Sequence, residues 1–397
     1  MEKNKKADVV FLSTYPPRAC GIATFTQDLV TELEKTGRIN PIIAAISDAE
    51  YDYPASVRFT LEQQETSAYA ELAKKIDSAK PDYCMVEHEY GIYGGKWGED
   101  LLKLTEALAT PYFMTLHTVL PEPRKKQKEI ICSAAAKSRG VITMAHNTKD
   151  ILTDVYGIEK EKISVIHHGV PNYPIADRET LKKEEGVSGR FVVSTFGLIS
   201  PGKGLEYGIE AIARVAKKHP EVLYLILGQT HPVIKKRDGE KYREDLENAV
   251  KNSGIENNVK FVNRYLTKEE IIRYLCLSDV YLTPYLGKDQ AVSGTLAYAV
   301  GYGRVIVSTP YLYAREMLAD GRGLLAEFRS AASLAKCVLQ VMENPSQKAE
   351  MEIKTRELGR TMLWNNIAAQ YAQLFSKKNL KGPKEWQFQQ TTAIFSA

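Results

Sequence analysis

Short apolar runs alternate with amphipathic segments along this chain, and the alternation starts afresh near residue 190. ADVVFLS (residues 7–13) has the pattern of a buried strand. YPPRACG leads from it into IATFTQDLVTELEKTG, where Ile22, Phe25, Leu29, Val30 and Leu33 form a helical stripe. PIIAAIS, DYCMVEH, YFMTLH, GVITMA and ISVIHHG are further apolar runs, each closing on a polar or glycine-bearing loop. SAYAELAKKIDSAK and EDLLKLTEALA are helical segments between them. This alternation specifies a parallel sheet with crossover helices.

Residues 171–188, PNYPIADRETLKKEEGVS, are polar and turn-rich and read as a hinge. Beyond them FVVSTFG is a strand, ISPGKG a glycine loop, and LEYGIEAIARVAKKH a helix with Leu205, Ile209, Ile212 and Val215 on one face. Strand LYLILG, a charged helix over 240–252 and strand VKFVN follow. Thr267 and Glu270 then have the spacing of a capping box ahead of EEIIRYLCLSD. A chain of 397 residues is long enough for two domains with separate cores. Two such α/β halves on one linker predict two open sheets facing a cleft, and such sheets bind ligands beyond the carboxyl ends of their strands. The residues after LFSKKNLKGPKEW lose periodicity and read as a loosely held tail.

Composition narrows the function classes. The chain is 44% apolar and 26% charged, as an ordinary soluble globular protein is. It has no apolar run of about 18 residues, so no membrane span is expected. The basic N-terminus runs directly into a strand without the apolar region of a signal peptide. A net charge of +4 is too small to argue for nucleic acid and leaves an anionic small ligand or a lipid surface. Five cysteines without a C-x-x-C pair favour reduced thiols in the cytoplasm over a disulfide framework or a zinc site.

The segment 283–310, TPYLGKDQAVSGTLAYAVGYGRVIVSTP, carries the clearest binding signal. A strand ends at a loop, and a small-residue helix opens at Ser293-Gly294-Thr295. Helix amino ends hold unpaired N–H groups and partial positive charge, which suit a phosphate or sugar oxygen. The same pattern also fits a well-capped helix in any doubly wound protein. Glu87-His88-Glu89 resembles a metal cluster at first sight. On a strand, however, Glu87 and Glu89 point to one face and His88 to the other, which disfavours a shared ion. No D-x-D motif is present, and no metal is expected.

Taken in order, YPPRACGIATFT, EHEYGIYGG, TLHTV, SVIHHGVP, FGLISPGKGLEYGIEAI and DVYLTPYLGKDQAVSGTLAYAVGYGRVIVSTP resemble the retaining glycosyltransferases of family 4. The likeness extends from Ser13 to about Phe375. It implies the GT-B architecture: an acceptor-side Rossmann-like domain over residues 1–172 and a donor-binding one over 188–360. A helix over 361–376 crosses back to the first domain with Trp364 as its anchor, and 377–397 is a tail. The resemblance also implies a nucleotide-diphosphate sugar as substrate, a saccharide or other hydroxyl acceptor, no cofactor and no metal.

The resemblance assigns roles residue by residue. His117, at the end of YFMTL, stands beside the donor sugar, although a lone strand-end histidine is also an ordinary satisfied polar group. Lys203 in SPGKG, with Gly202 beside it, pairs with the donor diphosphate, whose growing charge a fixed cation stabilises. Gly21 lets backbone approach donor phosphate and acceptor, with Cys20 where the family has a first glycine. Arg18, Glu89 and Tyr90 belong to the acceptor side, with Gly91 and Gly94-Gly95 shaping its loop. Ser293, Gly294 and Thr295 hold phosphate.

Two departures stand out. Leu198 occupies the place of a family arginine, so one diphosphate cation is missing; Arg18, Arg264 and Arg124 are the candidates to replace it. The family's E-x7-E pair falls on Gln290 and Tyr298, with Asp289 as a source of charge, Tyr298 as a ribose contact, and Glu316 as a substitute one. These departures keep three functions open: a glycosyltransferase, a retaining disaccharide phosphorylase using inorganic phosphate or sugar-1-phosphate, and a catalytically inactive ligand-binding homologue. Arg124, Lys125, Lys126 and Lys128, followed by Ile130 and Ile131, also suggest an amphipathic patch for peripheral membrane contact.

Overall fold

A computed structural model describes residues 6–375. The chain divides into two compact units. The first comprises the described residues up to Thr143, Thr148–Ile166 and those from Ala369 onward; the second comprises Met144–Asn147 and His167–Ala368.

In the first unit the described strands are β1 (Ala7–Ser13), β2 (Ile39–Ser47), β3 (Val57–Glu62), β4 (Tyr83–His88), β5 (Tyr112–Leu116), β6 (Gly140–Thr143) and β7 (Ile163–Val165). They form one parallel sheet in the order β3-β2-β1-β4-β5-β6-β7. The second unit contains β8 (Phe191–Phe196), β9 (Val222–Leu227), β10 (Val259–Val262), β11 (Val280–Thr283), β12 (Val305–Ser308) and β13 (Gly323–Leu325). Their order is β10-β9-β8-β11-β12-β13, again parallel. Both sheets are Rossmann-like, and both reverse direction of growth between their first and fourth strands. Ligands of such sheets bind at that switch point, outside the carboxyl ends. In the first unit it lies between β1 and β4, in the second between β8 and β11.

The central strands are largely apolar, as in sheets covered by helices on both faces, whereas β3 near one end exposes Arg58, Thr60 and Glu62. Val9, Val10, Phe11 and Leu12 in β1 are fully buried, and every residue of β9 is buried. The helix Gly21–Lys35 buries Phe25, Leu29, Val30 and Leu33 of the predicted stripe, while Ile22 in its first turn is only partly buried. The capping box forms: Thr267 accepts from the Glu270 N–H, and Glu270 accepts from the Thr267 N–H.

The hinge expectation needs correction. Within 171–188, Arg178–Glu184 is a helix of the second unit, capped where Asp177 accepts from the Thr180 N–H at 2.8 Å. Leu181 is buried, and Lys182 lies 2.8 Å from Asp279. A polar stretch becomes ordered structure because its charges find partners distant in sequence.

At the other end, Trp364–Leu374 forms a helix divided between the units. In the second unit the Trp364 ring lies so close over Gly169 that a Cβ there would meet it at 2.1 Å. The Val170 N–H donates to the Met362 carbonyl, and the Trp364 N–H donates to the Val170 carbonyl. In the first unit the Tyr371 and Thr115 hydroxyls are 3.2 Å apart, and Phe375 packs among Phe11, Tyr83 and Phe113. The expected tail over 377–397 lies outside the described residues.

Ile130 and Ile131 are fully buried. They supply no apolar side to the basic patch, whose Lys126 is paired with Glu99 at 2.5 Å. No helix among the described residues is long and apolar enough to cross a membrane. All five cysteines are free thiols.

Candidate functional site

At the switch point of the second unit the loops after β8 and β11 are locked together. Gly197 follows β8 at φ +127°, and Gly228 follows β9 at φ +135°; a Cβ on Gly228 would stand 2.1 Å from the Gly197 carbonyl oxygen. Only glycine supports that approach. The Leu286 N–H then donates to the Gly202 carbonyl at 3.0 Å.

This crossing brings Lys203 to Tyr285. The lysine Nζ donates to the tyrosine hydroxyl at 2.7 Å and lies 4.0 Å from the ring centre. The Tyr285 hydroxyl is 2.8 Å from Thr295 Oγ1, which is 3.1 Å from Ser293 Oγ. Ser293 caps the helix Gly294–Gly301 by accepting from the Leu296 N–H. A Cβ on Gly197 would touch Thr295 at 3.4 Å and Lys203 Nζ at 3.8 Å, so these groups share one small space. Among the described residues no carboxylate lies within ion-pair distance of Lys203. One half-buried cation, three hydroxyls and the first-turn amides of a helix converge, and no carboxylate of the described residues pairs with the cation. Such a site suits an anion.

Sequence reasoning placed Lys203, Gly202, Ser293, Gly294 and Thr295 in one site, and the fold does bring them together. It missed Tyr285, which the strand-end position in VYLTPY signals. It also missed His168, whose Nε2 would stand 3.2 Å from a Cβ at Gly294 while its Nδ1 is 2.8 Å from the Gly169 carbonyl. Glycine at 294 leaves room for that imidazole.

The substitutes proposed for the two departures are largely engaged elsewhere. Tyr298 is buried between Phe196 and His168, with ring centres 6.3 Å from each, so its ring has no open face for a ribose. Both Glu316 oxygens accept at 2.8 Å from the His146 and Asn147 N–H groups, which makes it a helix cap. Arg264 makes a two-pronged pair with Glu270 at 2.6 and 2.9 Å. Gln290 donates to the Val292 carbonyl from its own loop, and Asp289 beside it is partly exposed. Leu198 is partly buried.

The first unit presents a second cluster at its own switch point. His117 follows β5, and its N–H donates to the His88 carbonyl at 3.0 Å. Its Nε2 is 2.8 Å from Oε2 of Glu87, the penultimate residue of β4, and its ring stands edge-on to Phe25 at 4.9 Å. Glu87 is fully buried. His88 is also fully buried, against Tyr90 and Tyr93; burial and the neighbouring His117 bring its pKa down to about 3. β4 ends at His88, so Glu89 lies past the strand, beyond the reach of the alternation rule. Glu89 instead accepts from the Thr118 hydroxyl and the Tyr90 N–H.

Two acceptor-side assignments meet structural demands. Tyr90 is buried against His88. Arg18 donates to the Ile46 carbonyl and to Gln63, and lies 3.2 Å from Asp48, so its charge is used within its own unit. Arg124 lies over the Trp97 ring at 5.3 Å, also in the first unit. Gly21 opens its helix with free space where a Cβ would be. Among the described residues no group of three or more His, Cys, Asp or Glu side chains is arranged to hold a metal ion.

Residues 20–172 match the family model described as Glycosyltransferase Family 4, and residues 177–358 match that of Glycosyl transferases group 1. The chain belongs to the family 4, group 1 glycosyltransferases. Within this family it is 25% identical over 258 residues to an uncharacterized glycosyltransferase of Methanocaldococcus jannaschii, across 64% of this chain and 59% of that one. It is 27% identical over 225 residues to the 2-deoxystreptamine glucosyltransferase of Streptomyces kanamyceticus, across 54% of each chain. The aligned parts thus span little more than half of each of these relatives. The fold resembles HepE of Anabaena, solved in complex with UDP and glucose, with a TM-score of 0.72 at 17% identity over 93% of this chain and 99% of that one. These likenesses support the GT-B assignment for this family 4 chain.

Proposed function

We propose that the chain is a metal-independent retaining glycosyltransferase that moves a hexose from a nucleotide-diphosphate sugar to a saccharide or other hydroxyl acceptor. The observation that carries this reading is Lys203, a cation without a protein carboxylate, held by Tyr285 beside Thr295, Ser293 and the amino end of a helix. A leaving diphosphate gains negative charge as the bond from the anomeric carbon to its phosphate oxygen breaks. A preorganised cation and amides lower that barrier. The acceptor oxygen bonds to the same face of the anomeric carbon, and its proton passes to the departing phosphate. His117 positions the sugar. Reduced cysteines fit a cytoplasmic setting.

HepE binds UDP and glucose, and the Streptomyces relative is a glucosyltransferase, so UDP-glucose is the first donor to test. Thermal shift with UDP, GDP, ADP and inorganic phosphate identifies the donor class, since a ligand specific to the native state raises the melting temperature. Turnover of the matching sugar nucleotide should then survive EDTA. No stabilisation by any nucleotide would overturn the reading. One observation favours a second function: Tyr298 and Glu316, the expected ribose contacts, are occupied elsewhere. Stabilisation by phosphate alone, with phosphorolysis of a disaccharide, would establish a phosphorylase. Nucleotide binding without transfer or donor hydrolysis would establish an inactive homologue.

A further inference from the structure

Glu87 is buried more deeply than an unpaired carboxylate ordinarily tolerates. Its side chain has no exposed surface, and Oε1 has no hydrogen-bond partner among the described residues. Among the described residues no lysine or arginine pairs with it. The polar groups near it include the Tyr93 hydroxyl, which donates to the Glu87 main-chain carbonyl, and the Tyr371 hydroxyl, which sits beside Thr115. The group left to satisfy the carboxylate is His117 Nε2 at 2.8 Å. Burying a carboxylate without a donor is costly, so this contact needs its proton on the imidazole.

We propose that Glu87 is a positioning residue that holds His117 with Nε2 protonated and turned inward, leaving Nδ1 as the nitrogen offered to the ligand. The other contacts fit this role. The His117 N–H is fixed to His88, the ring edge is fixed by Phe25, and Nδ1 makes no hydrogen bond to a described residue. In the neutral form of such a ring Nδ1 is the accepting nitrogen, and it selects a hydroxyl that donates. Glu87 acts only through the imidazole, because its own side chain has no exposed surface. A carboxylate that fixes a histidine tautomer in this way contributes through orientation. The inference rests on the transferase reading for the identity of that hydroxyl, as a sugar hydroxyl of the donor, but the tautomer itself does not depend on that reading.

The test uses the full chain labelled with 15N-histidine, and His117→Gln assigns the His117 signals. Two-bond proton–nitrogen spectra of the neutral ring should show Nε2 carrying the proton and Nδ1 as a bare lone-pair nitrogen. A proton on Nδ1 would overturn the proposal on the unmodified protein, whether or not any variant folds. Glu87→Gln, whose amide can donate as well as accept, should mix the tautomers. With UDP-glucose or whichever donor is turned over, it should lower kcat at least ~10-fold while KM changes less than ~3-fold. A folded Glu87→Gln with the native tautomer and undiminished kcat would also overturn it. Should the native chain turn over no donor, the transferase reading fails and the nitrogen spectra alone decide the role of Glu87.

Discussion

Lys203 Nζ is 2.7 Å from the hydroxyl of Tyr285 and 4.0 Å from the centre of the same ring, so one side chain holds the lysine by two different attractions. The ring face attracts the cation, and the hydroxyl accepts from it. Lys203→Ala should reduce turnover at least ~10-fold. Tyr285→Phe keeps the ring and loses the hydroxyl contacts to Lys203 and Thr295, so nucleotide affinity should fall only about 3- to 10-fold. Steady-state kinetics checks the first and titration calorimetry with the stabilising nucleotide the second; unchanged turnover in Lys203→Ala would remove the lysine from the reaction.

Glu316 separates a structural role from a ligand role. Its carboxylate caps the helix beginning at His146 with two hydrogen bonds of 2.8 Å. Glu316→Ala should cost about 1–2 kcal/mol of stability in urea unfolding. Nucleotide affinity should stay within ~3-fold of the native value. A large loss of affinity with unchanged stability would restore the ribose contact expected from sequence.

His88 makes stability depend on pH. Burial favours its neutral form and takes its pKa from the ordinary 6.5 down to about 3. Between those values the unfolded chain binds a proton that the native one does not. The contribution is complete above pH 6.5 and is lost as pH falls toward 3. His88→Phe removes this dependence. The fall in Tm between pH 7 and pH 5 should be at least ~3 °C smaller in the variant, measured by differential scanning calorimetry. An identical fall in both proteins would locate the acid sensitivity elsewhere.

Trp364 lies flat over Gly169, with no room for a side chain beneath it. Trp364→Ala should cost about 3–5 kcal/mol. Gly169→Ala should also destabilise, by displacing the indole. The double variant should lose less than the sum, because both changes break one contact. Additive losses in denaturant titrations would mean that the two sites act independently.

Most strands were legible because they are apolar and their loops carry glycine; β3 was not, because Arg58, Thr60 and Glu62 alternate with its apolar residues and stay exposed. The anion site was legible because Lys203 and the Ser293 helix start follow strands at the switch point. The replacement contacts were not. Glu316 meets His146 from 170 positions away, and Arg18 meets Gln63 from 45. Such pairings depend on which strands become neighbours, and a local pattern of residue types does not encode that. The Glu87–His117 pair is an intermediate case. Its residues lie at the ends of adjacent strands, so the sheet order reveals it once known. Arg178–Glu184 shows the opposite error, where polar composition concealed a helix whose partners lie about a hundred residues or more ahead.

Phe375 fills a place among Phe11, Tyr83 and Phe113, so the first sheet takes part of its aromatic packing from a residue more than two hundred positions beyond its last strand. During translation this sheet leaves the ribosome well before the residue that completes its aromatic cluster. A chain cut after the second sheet would leave that aromatic hollow unfilled, with its apolar lining open to water.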